Sequence, residues 1–218
     1  RAHASIDGNS PYLPAAAGRL MQEEVSALSS VLANPARPLT AIVGGSKVST
    51  KLELLSNLLD KVDTLVIGGA MANTFLHAQG VRMWASLCEV DMADTARAIL
   101  AKAASSQCRI ILPVDAVVAT KFKAHAPGVV CDVDAIPADA MMLDVGPRSV
   151  MTLYDVISSS KTLVWNGPVG AFETSPFDAT TVQLARMVAA ASRAGTLHSV
   201  EGGGDTVAAL GHAGISGE

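Results

Sequence analysis

Apolar residues recur at helical spacing near the start of the chain, with charged and amide side chains between them. Leu13, Ala17 and Leu20 begin this pattern, and it continues through Leu32. Apolar positions three or four apart form one face of an amphipathic helix. The spacing therefore predicts one long helix over residues 13–34, which ends at Pro35 because proline lacks an amide donor.

Beyond Pro38 the pattern changes to short β-branched runs, each followed by glycine or a turn and then by a helix-length segment. The predicted strands are Leu39–Val43, Thr64–Ile67, Arg109–Leu112, Ala116–Ala119, Thr162–Trp165 and Leu197–Val200. The predicted helices are Lys51–Leu59, Asp91–Ala103, Ser149–Ser158 and Thr180–Ala191. Strands that alternate with helices indicate a doubly wound α/β fold, a mostly parallel sheet with helices on both faces in a Rossmann-like three-layer arrangement.

Composition narrows the function classes. Of 218 residues 50% are apolar and 17% charged, and the net charge is −4, so no basic surface for nucleic acid or anionic lipid is expected. No apolar run reaches the length of a membrane span. Three cysteines without paired spacing favour a reduced, cytoplasmic setting. The five histidines are scattered and receive no role.

In sheets of this kind ligands bind beyond the carboxyl ends of the strands, where the glycines of this chain cluster. The first candidate site is Gly44–Lys51, between a strand and a helix. Thr50 and Glu53 have capping-box spacing, so the helix is expected to begin near Thr50. Lys47 and Lys51 would then crowd a helix N-terminus, a conflict that a bound polyphosphate removes. The alternative, that both lysines are solvated surface residues, stays open from this segment alone.

The second candidate is the triple-glycine segment Gly202–Gly204 with Asp205 and Thr206, which follows a predicted strand. Its amides and the next helix start suit phosphate oxygens, and Asp205 is a candidate Mg²⁺ ligand. The alternative is a simple turn with Asp205 as helix N-cap.

The third candidate is the segment Val164–Glu173. A strand runs into Asn166 and a Gly-Pro turn, and Glu173 is suited to accept hydrogen bonds from ribose hydroxyls. Taken alone, such a segment is more often a turn.

Together these motifs resemble those of the phosphoglycerate kinase family. Gly44–Lys51 is similar to GGAKVSDK, and Ile67–Phe75 resembles IGGGMAxTF. Leu112–Val118 reads LPVDAVV, nearly identical to the family sequence, Val164–Glu173 resembles VWNGPxGxFE, and Gly202–Thr206 resembles GGGD[ST]. Arg1–Ser5 is similar to the segment before the family's interdomain helix. The resemblance covers the whole chain, with the motifs in family order.

The resemblance implies reversible transfer of the γ-phosphoryl of Mg·ATP to the carboxylate of 3-phosphoglycerate, giving ADP and 1,3-bisphosphoglycerate. Lys47 and Arg1 are the expected catalytic residues, and Arg1 also binds 3-phosphoglycerate. Asp205 is the expected Mg²⁺ ligand. The expected nucleotide-binding residues are Lys51, Asn166, Glu173, Gly202, Gly203, Gly204, Asp205, Thr206, Gly68, Gly69 and Met142. Gly68, Gly69 and the stretch Met141–Gly146 are expected to border the adenine.

The resemblance also implies a domain layout. Residues 1–12 would end the amino-terminal domain, 13–34 would form the interdomain helix, and 35–218 would form a nucleotide-binding domain truncated at its carboxyl end. Because the amino-terminal domain and a later Gly-rich loop are absent, this fragment is expected to bind nucleotide without turnover. Met142 departs from the family's usual glycine, where a side chain either narrows the adenine pocket or repacks it.

Two alternatives are weighed against an active phosphotransferase. One is a stand-alone Mg-nucleotide-binding module without turnover. The other is a dinucleotide-dependent oxidoreductase, which is disfavoured because no GxGxxG follows the first strand. A monomer in the cytoplasm, with neither nucleic acid nor membrane as partner, is expected.

Overall fold

The computed structural model describes residues 34–215. Arg1 and the predicted helix over 13–34, apart from Asn34, lie outside the described residues. The described strands are β1 (Leu39–Val43), β2 (Thr64–Ile67), β3 (Arg109–Ile111), β4 (Asp115–Ala119), β5 (Val129–Asp132), β6 (Met141–Val145), β7 (Thr162–Asn166) and β8 (His198–Glu201). The α-helices are α1 (Leu52–Leu59), α2 (Gly69–Ala78), α3 (Ala93–Ser105), α4 (Pro147–Ser159), α5 (Ala179–Arg193) and α6 (Gly204–His212). Two 3₁₀ helices cover Val90–Met92 and Val133–Ala135.

The central sheet has five strands in the order β3-β2-β1-β7-β8, and all its strand pairs are parallel. Every residue of β1 and β2 is buried. A strand covered on both faces needs apolar side chains at successive positions, which explains the continuous run Leu39–Val43. The predicted mostly parallel sheet is confirmed.

Alternate residues of β1, β2 and β7 face two separate cores. Ala41 of β1 packs with Leu65 of β2 and with helices α1, α2 and α3 on one face of the sheet. Ile42 packs with Trp165 of β7 and with helices α4 and α5 on the other face. Helices therefore cover both faces, as the sequence predicts.

The predicted strand Ala116–Ala119 exists, but it is not part of the parallel sheet. It lies within β4, the middle strand of a second, antiparallel sheet with the order β5-β4-β6. Only residues 112–114 separate β3 from β4, whereas a parallel return needs a crossover of roughly a dozen residues. This small sheet packs through Ala116 and Val145 onto the core that contains α4 and α5.

None of the helices in the described residues is long and apolar enough to cross a membrane.

Candidate functional site at the carboxyl ends of β1 and β7

Strands β1 and β7 are neighbours in the sheet, but the chain leaves them in opposite directions. From β1 it proceeds to β2 and β3 on one side, and from β7 to β8 on the other. Gly44 follows β1 and Gly167 follows β7, so both glycines lie at the topological switch point of the sheet. In open α/β sheets, ligands bind in the crevice at this point.

The loops at this edge contact one another through their backbones. A Cβ atom on Gly44 would lie 1.9 Å from the carbonyl oxygen of Pro168. Gly69 has a φ of +65°, and a Cβ there would lie 2.6 Å from the carbonyl oxygen of Gly45. The Gly69 amide donates to the carbonyl of Val169 at 2.9 Å. Glycine at these positions lets three loops meet more closely than side chains would allow.

Lys51 immediately precedes α1, and its side chain extends to the carboxyl ends of β1 and β7. Its ammonium donates to the Gly44 carbonyl at 2.7 Å, to the Asn166 side-chain carbonyl at 2.6 Å and to the Asn166 backbone carbonyl at 3.2 Å. Burial lowers the pKa of Lys51, although the nearby Asp205 carboxylate opposes this shift. Lys51 is therefore a half-buried charge at the switch point, which differs from the solvated surface lysine of the alternative interpretation.

Lys47 is exposed, and its side chain donates to no partner within residues 34–215. The segment that carries it is held by Glu89, whose carboxylate accepts the Ser49 amide at 3.1 Å and also the Ser49 hydroxyl. Burial alone would raise the pKa of Glu89, but these bonds and the Lys47 charge lower it. Glu89 therefore anchors the segment between the two lysines, a contact that no local sequence pattern predicts.

The predicted capping box of Thr50 and Glu53 is wrong. The Thr50 hydroxyl donates to the Lys47 carbonyl at 2.9 Å, and no side chain caps α1, whose N-cap is Lys51. Lys51 closes a turn by donating its amide to Val48 at 2.9 Å. Because Thr50 lies inside this turn, its hydroxyl bonds backward rather than to the helix.

Asn166 and Thr206 tie the end of β7 to the triple-glycine segment. The Asn166 side-chain amide donates to the Gly202 carbonyl at 3.1 Å. The Thr206 hydroxyl donates to the same carbonyl at 2.8 Å and accepts the Gly167 amide at 2.7 Å. Thr206 is fully buried. Its hydroxyl therefore bonds two backbone groups of the protein and holds the triple-glycine segment against the end of β7.

Helix α6 begins at this edge with an accessible first turn. Gly203, at a φ of +95°, is the N-cap, and Gly203, Gly204 and Asp205 are all exposed. Within the described residues, the backbone amides of these three residues donate to no protein acceptor. Unpaired amides at a helix N-terminus attract anions. The Asp205 carboxylate lies among them and close enough to Lys51 to influence its pKa.

A cleft of about 340 Å³ opens beside these loops, within the size range of small-molecule sites. Four of the expected nucleotide-binding residues line it: Gly69, Met142, Glu173 and Asp205. Gly68 does not line it, because Gly68 is buried against Val169. Met142 is only 8% exposed, so its side chain both packs into the core and closes one wall.

Other residues also line this cleft. Leu143 and Asp144 belong to the stretch Met141–Gly146 that the family resemblance places beside the adenine, whereas no sequence pattern indicated Leu87 or Phe122. Phe172 lies in the third candidate segment, Val164–Glu173. Leu87 and Phe122 come from irregular segments, where no periodicity marks a ligand-facing side chain. Asp144 is 2% exposed, and burial raises its pKa to about 7. A charge inside the otherwise apolar segment Met141–Val145 is the signal that could have singled out this carboxyl group.

The class of protein defined by this fold and this edge is a doubly wound α/β protein with an anion-attracting helix start at its switch point. The family model for phosphoglycerate kinase matches residues 1–218. The chain belongs to the phosphoglycerate kinase family. It is 60% identical over 216 residues to a phosphoglycerate kinase of Jannaschia sp. (strain CCS1) and 62% identical to that of Sinorhizobium medicae (strain WSM419). Each comparison covers 99% of this chain and 54% of the relative, so the chain spans about half the length of these relatives.

Solved structures agree with this assignment. The phosphoglycerate kinase of Coxiella burnetii superposes with a TM-score of 0.86 at 46% identity, covering 91% of this chain and 50% of that one. The enzyme of Pyrococcus horikoshii OT3 gives a TM-score of 0.81 at 26% identity, covering 100% of this chain and 54% of that one.

Proposed function

We propose that this chain is the nucleotide-binding part of a phosphoglycerate kinase. That enzyme would transfer the γ-phosphoryl of ATP reversibly to the carboxylate of 3-phosphoglycerate, giving ADP and 1,3-bisphosphoglycerate, and would form ATP in glycolysis. The observation that carries the proposal is the convergence of Lys51, Asn166 and the exposed start of α6 at the switch point of the sheet. Family membership supports this activity over a module without turnover.

In this proposal the nucleotide lies along the cleft with its phosphates at the start of α6. The free amides of Gly203, Gly204 and Asp205 would bond phosphate oxygens, with the helix dipole adding attraction. Lys51 would neutralise phosphate charge, and Asn166, bonded to both Lys51 and Gly202, would hold these two groups in register. Glu173 would accept from ribose hydroxyls, and the base would lie near Gly69 and Met142.

Phosphoryl transfer to a carboxylate needs no general base, because the acceptor is already ionised. The protein contributes alignment and charge neutralisation at the transferring group. Lys47 suits this role because its ammonium is exposed and uncommitted within residues 34–215, while Glu89 holds the segment that carries it. Arg1 is proposed to bind 3-phosphoglycerate and to assist the transfer; it lies outside the described residues.

Mg²⁺ fits the residues at this edge. Within residues 34–215 no group of three or more acidic, histidine or cysteine side chains could hold a metal ion alone. Mg²⁺ on a nucleotide typically takes one or two carboxylates, with phosphates and waters as the remaining ligands. Asp205, an exposed carboxylate at the start of α6, would be the protein ligand, and the ion would neutralise charge on the phosphates.

The proposed organisation places residues 1–12 at the end of an amino-terminal domain, 13–34 in an interdomain helix and 35–218 in the nucleotide-binding domain. A cytoplasmic monomer is proposed as the working form.

Calorimetric titration with Mg·ADP tests this function. The chain should bind with 1:1 stoichiometry, and Lys51→Ala should weaken binding by at least about tenfold, since a charge-assisted contact to phosphate contributes roughly 1.5–3 kcal/mol. Lys161→Ala is the matched control: Lys161 is exposed and precedes β7, so it lies at the opposite end of that strand. It should leave the affinity unchanged.

Asp205→Ala separates metal binding from nucleotide binding. With Mg²⁺ present the affinity for ADP should fall, whereas with EDTA it should not fall, because a negative charge near the phosphates has been removed. Asp155→Ala, an exposed change on α4, serves as its control. A wild-type chain that is folded by circular dichroism but binds no Mg·ADP would refute the proposed site.

A further inference from the structure

Asp144 is a buried carboxyl group in the wall of the cleft with no part in the proposed chemistry. It lies on β6 and is 2% exposed. One carboxyl oxygen accepts the Val145 amide at 2.9 Å, and the other accepts the Thr180 amide at 3.0 Å. Thr180 is in the first turn of α5, so Asp144 joins β6 to the start of that helix.

The same carboxyl group contacts the loop between β7 and α5. A Cβ atom on Gly170 would lie 2.2 Å from an Asp144 carboxyl oxygen, so the Gly170 backbone packs directly on it. The next residue, Ala171, donates its amide to the Leu143 carbonyl at 2.8 Å. These two adjacent contacts fix the loop against β6. Phe172 and Glu173, which line the cleft, follow immediately.

The charges around Asp144 do not neutralise it. Within residues 34–215 no Lys, Arg or His forms an ion pair with Asp144. The facing titratable group is Asp178 at the N-cap of α5, and His212 at the end of α6 bonds to Asp178 at 2.8 Å. Burial, with a smaller contribution from Asp178, outweighs the bonds from Thr180 and Val145 and raises the pKa of Asp144 to about 7.

We propose that Asp144 is a positioning residue of the nucleotide cleft. Its carboxyl group holds the loop bearing Phe172 and Glu173 against β6, and thereby sets how tightly the cleft binds the nucleoside part of a nucleotide. The inference rests on the proposed function, because it assumes that the cleft binds a nucleotide. It concerns Kd rather than the phosphoryl-transfer step.

The test compares Asp144→Asn with Asp115→Asn in Mg·ADP titrations at pH 6 and pH 8. Asp115 is a matched control, because it is also buried and also accepts amides from a helix start, but it does not line the cleft. Asparagine keeps the shape, but it presents an N–H group to one of the two amides that Asp144 accepts. The Kd of Asp144→Asn should rise about tenfold relative to wild type at pH 8, and that of Asp115→Asn less than about twofold.

The ratio of the two Kd values, variant to wild type, should shrink at pH 6, because the wild-type carboxyl is then largely protonated. Titration of the nucleotide itself cancels in this ratio. Equal Kd values for Asp144→Asn and Asp115→Asn, or a ratio independent of pH, would overturn the positioning role. Absence of binding by the wild-type chain would instead contradict the proposed function.

If Asp144→Asn does not fold, carboxyl ¹³C titration of the wild-type chain tests the positioning role instead. Saturation with Mg·ADP should shift the pKa of Asp144 by at least about half a unit and leave that of Asp115 in place. An unmoved Asp144 pKa would also overturn the proposal.

Discussion

Two contacts between a strand and the start of a later helix are built in the same way in this molecule. At each of these junctions a buried aspartate on the strand accepts backbone amides from the helix start. Asp115 on β4 accepts the amides of Arg148 and Ser149 at the start of α4, at 3.0 and 2.9 Å. Asp144 on β6 accepts the Thr180 amide at the start of α5. Each carboxyl packs on a glycine backbone, Gly146 or Gly170, where a Cβ would lie 2.3 or 2.2 Å away.

The junctions differ in how the charge is compensated. Asp115 also accepts the Ser149 hydroxyl at 2.6 Å, and the Arg148 guanidinium lies 3.7 Å away. Burial alone would raise the pKa of Asp115, but these partners lower it. Asp144 has no guanidinium beside it, and burial, with a smaller contribution from Asp178, raises its pKa despite its bonds from Thr180 and Val145. The charge of Asp115, which lies away from the cleft, is thus compensated by its partners. The charge of Asp144, in the cleft wall, is not.

The largest difference in stability between the two junctions is expected when each aspartate is replaced by alanine. Asp115→Ala should lower the free energy of unfolding by about 3–5 kcal/mol, because it leaves two amides and a hydroxyl unpaired beside a guanidinium. Asp144→Ala should cost about 1–2 kcal/mol, since removing an unfavourable buried charge offsets part of the lost bonding. Urea unfolding at pH 7.5 measures both values. Equal costs would erase the distinction between the two junctions.

The pH dependence of stability should also separate the two. The folded-state pKa of Asp144 is raised, so the folded chain holds a proton that the unfolded chain has lost, and stability falls as pH rises from about 4 to about 7. The shift corresponds to a few kcal/mol at most, on the order of 1.4 kcal/mol per unit. For Asp115, whose pKa is lowered, stability is instead lost as pH falls below about 4.

Unfolding free energies of wild type, Asp144→Asn and Asp115→Asn across pH 3–8 measure these slopes. The difference between wild type and Asp144→Asn should change between pH 4 and 7, while that for Asp115→Asn should change only at the acidic end. A wild-type profile parallel to that of Asp144→Asn would refute the raised pKa.

The smallest expected effect comes from Ser149→Ala, which makes the Asp115 junction more like the Asp144 junction. Ser149→Ala removes the hydroxyl from Asp115 but keeps both amides, so Asp115 comes to resemble Asp144. Stability should fall by about 1–2 kcal/mol, because this hydroxyl also accepts the Val114 and Asp115 amides, and the pKa of Asp115 should rise. Urea unfolding and carboxyl ¹³C titration measure the two effects. Ser159→Ala is the control, because that hydroxyl donates only to a carbonyl of its own helix. An unchanged Asp115 pKa would show that the two amides and the Arg148 guanidinium set it without the hydroxyl.

The sequence predicted best what local pattern determines. β1 and β2 were predicted with their observed bounds, because each is a short apolar run between breakers. Helix α2 was missed, because Gly68 and Gly69 read as a turn and few polar residues interrupt its apolar ones. The antiparallel strands β5 and β6 were also missed. β5 is largely exposed, so it lacks the apolar run that marks the central strands.

The geometry of the site depends on contacts between residues that are far apart in the sequence. The sequence left open whether Lys51 is a surface residue, because its burial comes from Asn166, 115 positions away. The hydroxyl of Thr206 bonds Gly202 and Gly167, a contact that no local pattern predicts, while its role in nucleotide binding stays a prediction. The roles of Lys47, Asp205 and Glu173 stay predictions. For Asp144, a charge within an apolar run marks an unusual residue, but it does not show which helix the carboxyl caps, because Thr180 is 36 positions away.

The adjacency of β1 and β7 has a consequence for synthesis of the chain on the ribosome. The segments that carry Lys51 and Asn166 are 115 residues apart, so at roughly 5–20 residues per second about 6–23 s separate their translation. During this interval β1 can pair with β2, but its other edge has no partner. Unpaired strand edges are templates for aggregation. The nascent chain is therefore expected to need protection most before β7 emerges, and the nucleotide site can form only after that point.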